Sequence, residues 1–395
     1  MQVLSQIAGV TAMNLRAIPQ RAAASAVAVI GIAGVVLIIV AVLSVAQGFR
    51  RTLELAGSDR VAIVLRGNAT AEMESLFSEE QVQIIEEAPA IAKGAHGPIV
   101  SAELFTSADQ PKRSNGGPAN APLRGIERGG ALTREHFELI AGRMFTPGRY
   151  EVIVGRQAER TLSGLEVGRT ARWGNIDWHV VGEFADGGSV AESEIWTDAR
   201  VLQGAYSRGD SFQTVRVLLP SAASLASFKG ELAHDPRLDV SVYTERQFYA
   251  EQARMIAAIV RGAGTVLALL MGVGAVFGAL NTLYAAVAAR STEIATLRAL
   301  GFGASAVIVS VLAEALLLAL LGGALGAACA YLAFDGFEAS TLNYASFSQV
   351  SFAFAVTPAL IAGGIGYALL LGFLGGLFPA IHAARLPIIE GLREG

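Results

Sequence analysis

The chain has 395 residues, 53% of them hydrophobic and only 16% charged, with a net charge of −4. That balance lacks the basic footprint of a nucleic-acid binder. The one cysteine, Cys329, lies in an apolar run, which excludes a disulfide framework or a cysteine zinc site in any soluble part. The charges are unevenly placed: residues 47–261 hold 24 of the 30 Lys and Arg and 28 of the 34 Asp and Glu. A single soluble fold does not segregate charge in this way, so the pattern reads as a soluble domain inserted between membrane segments.

Residues 1–21 place Leu4, Ile7, Ala8, Leu15 and Ile18 beside Arg16 and Arg21. This is the pattern of an amphipathic helix lying on a membrane surface. Pro19 would bend the chain into the next segment. Residues 22–46 are uncharged throughout, and a membrane span needs about 20 apolar residues. Ser44, Val45 and Ala46 have the small side chains of a signal cleavage site. A signal core runs to only about 7–15 residues, however, so an uncleaved first span is the reading.

The inserted domain, residues 47–261, reads as mixed α and β. Segments 61–65, 151–154, 177–181, 215–219 and 240–243 are rich in Val and Ile and bounded by Gly, Pro or Asp, as strands are. Residues 78–87 read as a helix, with Ser78 as cap and Gln81 completing a capping box. Residues 221–233 read as another, with Ser221 as cap. Residues 107–121 show no periodicity and read as a flexible loop. The two ends, 47–59 and 244–261, read as helices running into the spans. In the second, Phe248, Gln252, Met255 and Ile259 recur at helical spacing.

Three more spans follow, at about residues 262–289, 304–334 and 352–381, all three rich in Gly. Small residues let membrane helices approach closely. Short flanks fix the orientation. Arg16 and Arg21, then Arg290 and Arg298, then Arg385 and Arg393 flank one side, whereas the loop 335–351 has no cation but has Asp335 and Glu338. The positive-inside bias puts both termini, the loop 290–303 and the tail 382–395 in the cytoplasm, and the large domain outside it.

Catalytic motifs are missing. The three lysines, Lys93, Lys112 and Lys229, follow Ala92, Pro111 and Phe228. None has the preceding glycine of a phosphate-binding loop. The histidines, His96, His136, His179, His234 and His382, form no HExxH pair, and no metal site is expected. Glu135-His136 and His234-Asp235 read as solvated surface, and Asp186-Gly187-Gly188 as a turn. Glu314 is the one acid inside a span, with Ser310 one turn before it. An intramembrane acid is a functional candidate, but with no second acid in the spans a proton relay has no partner. Structural pairing and conformational coupling both remain open for it.

The loop 290–303 can form a short helix, capped by Ser291 or Thr292 and ended by Gly301. Its mixed Arg, Glu and Leu surface suits docking to a cytoplasmic protein, the alternative being a simple turn. The run RSTEIATLRALGFGASAVIVSVLAEALLLALLGGALG resembles the hallmark of MacB/FtsX-like ABC transporter permeases. The tail GGLFPAIHAARLPIIEGLREG resembles that family's C-terminal signature. SEEQVQIIEEAPAI, LRGI, AGRMFTPGRYEVIVG, VGRTARWGNIDWHVVGEF and ESEIWTD follow in the order of its periplasmic domain, so the resemblance covers essentially the whole chain.

The resemblance implies four transmembrane helices, with a large α+β extracytoplasmic domain inserted between the first two, in a bacterial inner membrane. It implies ATPase coupling through Arg290, Glu293, Leu297, Arg298 and Gly301, with tail contacts from Arg385, Glu390 and Arg393. The implied partners are a cytoplasmic ATPase subunit that holds ATP and Mg, a second permease copy, membrane lipid and a periplasmic adaptor. No cofactor is expected in this chain. In MacB itself the ATPase is fused at the N-terminus; here about 21 residues precede the first span, so a separate ATPase subunit is expected. The implied work is mechanotransmission that exports or extrudes a peptide, small amphiphile or lipoprotein. An ATP-independent membrane-anchored sensor or scaffold, or a regulator of cell-wall hydrolases, is the alternative.

Overall fold

The first helix, α1, spans Gln2–Arg16 and is followed by a single tight turn, Ile18–Arg21, with Pro19 as its second residue. Proline there fixes the turn and lacks the amide that a continuing helix would need. Next comes α2, Ala22–Leu55, then β1, Val61–Arg66, and α3, Glu79–Glu86. A short hairpin, β2 (Lys93–Gly94) and β3 (Gly97–Pro98), leads into a long one, β4 (Val100–Pro111) and β5 (Pro118–Ile126). The chain continues through β6 (Phe137–Gly142), β7 (Glu151–Gly155), α4 (Arg156–Thr161), β8 (Thr170–Trp173) and β9 (Ile176–Asp186). After these come β10 (Ile195–Asp198), α5 (Ala199–Ala205), β11 (Thr214–Leu218), α6 (Ser224–Ala233) and β12 (Val240–Thr244). The last part holds α7 (Glu245–Ala288), α8 (Ser291–Ala299), α9 (Ala304–Phe334), the hairpin β13 (Glu338–Asn343) and β14 (Ser348–Ala353), and α10 (Pro358–Arg385). This computed structural model describes residues 2–55, 57–343 and 348–387.

The chain divides into two compact units. One comprises Met1–Gln47, Ala258–Phe337 and Phe354–Gly395; the other comprises Gly48–Ala257 and Glu338–Ala353. Among the described residues, four helices are long and apolar enough to cross a membrane, within α2, α7, α9 and α10.

In the first unit α9 and α10 pack on small residues. A methyl added at Gly323 would lie 2.8 Å from the Ala368 Cβ, and one at Gly326 would collide with the Ala33 backbone of α2. Lipid supplies no hydrophobic drive between helices, so this backbone proximity is what dispersion packing requires. Ile32, Val36 and Val40 of α2, Ala319 and Ala327 of α9 and Ala368 of α10 make the common core. The last helix starts later than residue 352. Phe352 and Ala353 still belong to β14, and Thr357 caps α10 by accepting from the Leu360 amide, with Pro358 as its first residue.

In the second unit a ten-stranded sheet runs β12-β1-β11-β4-β5-β10-β7-β9-β6, with β8 on β9. The long β4 carries the sheet across two cores. Its start pairs β11 and its remainder pairs β5, from Leu104↔Gly125 to Pro111↔Pro118. One core gathers α3, α6 and their strands around Phe77, Phe212 and Phe228; the other gathers α4 and α5 around Trp173 and Trp178.

Three expectations are corrected here. Residues 107–121 are mostly paired strand, not loop. Buried Ala108, Gln110, Ala119 and Ala121 alternate with exposed Ser107, Asp109 and Asn120, and the turn closes through Lys112 and Gly117, 2.8 Å between N and O. Ser221 does not cap α6. It sits in a turn whose carbonyl accepts the Ser224 amide, and the helix begins only at Ser224. The segment 335–351 is not a plain loop, because most of it forms the β13–β14 hairpin, whose β14 lies against β5. The expected capping box at Ser78 and Gln81 is present on α3. A second one, unforeseen, opens α7: the Thr244 hydroxyl accepts the Gln247 amide at 3.1 Å, and the Gln247 carboxamide oxygen accepts from Thr244 N at 3.3 Å.

Candidate docking site

The loop helix α8 lies between α7 and α9. Its N-cap is Arg290, with no side-chain cap bond, so neither Ser291 nor Thr292 performs that task. Glu293 in the first turn and Arg298 in the last suit the helix dipole. The C-terminus closes as a Schellman motif: Gly301 N donates to Arg298 O at 3.1 Å and Phe302 N to Leu297 O at 3.1 Å. Gly301 has φ +93°, the left-handed region that a side chain disfavours. Ile294 is buried against Val287, Val307, Val311 and Ala380, and Ala295 beside it is buried too. The opposite face leaves Glu293, Thr296 and Leu300 exposed, Leu300 by 72%. A cavity of about 520 Å³ opens beside it, lined by Met13, Thr292, Glu293 and Leu297 among others.

The structure separates the residues expected at this site. Glu293 is exposed and Leu297 half-buried. Arg298 is half-buried, and its Nη1 donates to the Leu386 carbonyl at 2.8 Å, which ties α8 to the end of α10. Arg290 turns inward and is largely covered. Its Nη2 meets Glu314 Oε2 at 2.9 Å, and its Nη1 donates to Asn14 Oδ1. Arg385 is exposed at the end of α10. Glu390 and Arg393 lie outside the described residues.

Glu314 sits ten residues into α9, about 15 Å along the helix, and is buried. Besides Arg290 it accepts from Asn14 Nδ2 at 3.0 Å. The same amide nitrogen donates to Ser310 O at 3.2 Å, and Ser310 Oγ donates to Val10 O at 3.4 Å. Asn14 was not singled out by sequence reasoning. Its signal is positional: Ile7, Val10 and Asn14 share one helical stripe, and Asn14 is the polar member of it.

A second polar cluster lies inside the sheet unit. The Arg124 guanidinium reaches Glu72 at 2.8 Å, Glu194 at 2.8 Å and Glu103 at 3.0 Å, and stacks 5.0 Å over Phe105. Arg134 also pairs with Glu103 and lies 4.8 Å over Trp196. Burial pushes the Glu103 carboxyl up, but the Arg134 and Arg124 charges more than reverse this and hold it at about 2. At the start of α7, buried Glu245 pairs with buried Arg216 and accepts the Ser58 amide at 3.2 Å. Burial outweighs that pairing and raises the Glu245 carboxyl. A cavity of about 830 Å³ is lined by Ile99, Leu132, Met144, Phe145 and Glu127 among others. Burial pushes Glu127 up to about 7, against the Ala102 amide that it accepts.

The described residues thus combine four helices long and apolar enough to cross a membrane, a short helix between two of them and a mixed sheet unit. Residues 25–234 match the MacB-like periplasmic core domain, and residues 265–388 match the FtsX-like permease C-terminal domain. The chain belongs to the MacB/FtsX-like family of ABC transporter permeases.

Among individual relatives, it is 23% identical over 355 residues to the uncharacterized ABC transporter permease YknZ of Bacillus subtilis, covering 83% of this chain and 82% of that one. It is 26% identical over 258 residues to the macrolide export ATP-binding/permease protein MacB of Burkholderia cenocepacia, covering 61% of this chain but only 36% of that protein. Two solved structures align: the extracellular domain of YknZ from Gram-positive bacteria (TM-score 0.32, 18% identity, 42% of this chain and 87% of that one) and the periplasmic region of MacB from Actinobacillus actinomycetemcomitans (TM-score 0.37, 12% identity, 48% and 91%).

Proposed function

We propose that this chain is the permease subunit of an ABC transporter whose ATPase is a separate cytoplasmic protein docking on α8. The observation that carries this reading is the uncovered stripe of Glu293, Thr296 and Leu300 on a helix otherwise packed into the bundle. ATP and Mg²⁺ belong to that partner. Glu293 and Leu297 make the contact, Arg298 holds α8 to the tail, and Gly301 sets where the helix stops. Arg385, Glu390 and Arg393 add contacts from the tail.

Both termini and α8 lie in the cytoplasm, and the sheet unit lies on the far side of the inner membrane. At 34 and 44 residues, α2 and α7 are far longer than the roughly 20 residues of a span, which suits stalks that carry motion to the outer domain. Val266, Leu270, Val273 and Phe277 form an exposed stripe on α7, and a second permease copy would cover it. The work done is mechanotransmission, which extrudes a peptide, small amphiphile or lipoprotein, with a periplasmic adaptor as further partner.

The test is co-purification of the ATPase with the permease. Reversing charge at both Glu293→Arg and Arg298→Glu should abolish recovery of the ATPase while the permease still folds and inserts. Full recovery with unchanged transport would sink the docking assignment.

A further inference from the structure

Glu314 has the chemistry of a device rather than of a packing residue. A carboxylate buried among apolar helices is costly unless charge and hydrogen bonds answer it. Here both come from segments remote in sequence. Arg290 arrives from the residue that opens α8, 2.9 Å away, and Asn14 from α1, 3.0 Å away, both on Oε2. Asn14 accepts from Arg290 as well, so the three side chains close a ring. Asn14 donates onward to the Ser310 carbonyl at 3.2 Å, and Ser310 returns to the Val10 carbonyl of α1 at 3.4 Å. Asn14, Ser310 and Glu314 are all nearly inaccessible.

We propose that Asn14, Arg290 and Glu314 form a three-way clamp that fixes the start of α8 on α1 and α9. A push on α8 would then move α9 and α1 together instead of swinging a loose loop. The inference rests on the docking role proposed for α8, and it assigns Glu314 and Asn14 as positioning residues that never touch the partner. Two observations and one physical argument favour positioning over simple packing. The N-terminus of α8 has no side-chain cap, so the ring supplies what fixes it there. Apolar side chains would fill the same space without any directional bond, whereas a charged ring has one register. Finally, among the described residues the buried Arg290 Nε has no hydrogen-bond partner, a cost that filling space would not require.

The experiment uses the full-length permease in lipid nanodiscs, with the exposed Cys329→Ser as background. Spin labels go on Ala12→Cys of α1 and Thr296→Cys of α8, both exposed. The clamp predicts one narrow distance peak in the otherwise wild-type protein. In Glu314→Gln and Asn14→Ala that peak is lost to a broad distribution while the protein still melts cooperatively. A distribution that Glu314→Gln leaves superimposable on the wild type, with only a lower Tm, overturns the clamp.

This readout needs no ATPase, so it stands apart from the docking test. If the ATPase is then present, Glu314→Gln should still capture it but lose permease-dependent stimulation of ATP hydrolysis; unchanged stimulation counts against the clamp. Should both variants fail to fold, hydrogen exchange on the unmodified protein decides. Amides of 291–299 protected like those opening α9 support the clamp, and exchange at the rate of a free surface turn overturns it.

Discussion

Arg124 makes three carboxylate contacts in a nearly dry interior, whereas Arg200 makes its short paired contact with Glu79 in water, with 47% of its own side chain exposed. The two arginines look alike in sequence but differ in what their loss leaves behind. Arg124→Met leaves Glu72 and Glu194 without their ion-pair partner and Glu103 with Arg134 alone, and breaking a buried pair from one side costs about 3–5 kcal/mol. Arg200→Met removes an exposed pair worth about 0–1 kcal/mol. Chemical unfolding of the full-length protein should therefore separate the two variants clearly, and equal losses would contradict the solvent argument. The same contrast explains what was hard to read at the docking site. Sequence marks Glu314 as anomalous because it stands alone in an apolar run. Its partners come from residues 14 and 290, and no local pattern reports a contact made across that separation.

At the scale of elements, the readable features were those written in short-range chemistry. The Ser78–Gln81 box and the Gly301 stop each act over one turn, and both appear where their residues predict. The β4–β5 hairpin was illegible for the opposite reason: its inward positions are Ala108, Gln110, Ala119 and Ala121, so the alternation is one of size rather than of hydrophobicity. The glycines of the spans were visible, but which of them bear load was not, since that depends on the neighbouring helix. Gly326 meets the Ala33 backbone, whereas Gly363 has nothing within 4 Å of an added methyl. Gly326→Ala should force α9 from α2 at about 1–3 kcal/mol, the usual cost of overpacking. Gly363→Ala should be neutral or slightly stabilising, since alanine favours helix by up to about 1 kcal/mol. Unfolding midpoints in micelles measure the pair. A drop at Gly363 as large as that at Gly326 would mean that helix contact is not what these glycines serve.

For the whole molecule the governing fact is where the sparse membrane-side charges lie. Arg16, Arg21, Arg290, Arg298 and Arg385 flank helix ends that four crossings would bring to one face, while Asp335 and Glu338 flank the other. Asp335 also has a local task there, accepting the Val356 amide at 2.9 Å as the chain turns back toward α10. Cations near span ends are retained on the cytoplasmic side, and a large domain crosses largely regardless of its own charge, so the sheet unit's many arginines do not weigh against this orientation. Single cysteines in the Cys329→Ser background make the orientation measurable. Ala222→Cys, exposed in the turn before α6, should react with a membrane-impermeant maleimide on intact spheroplasts. Thr296→Cys on α8 should react only after the membrane is broken. Labelling of Thr296→Cys in intact cells would place α8 outside the cytoplasm, out of reach of any ATP-bound partner, and would remove the docking role from α8 whatever the ATPase recovery showed.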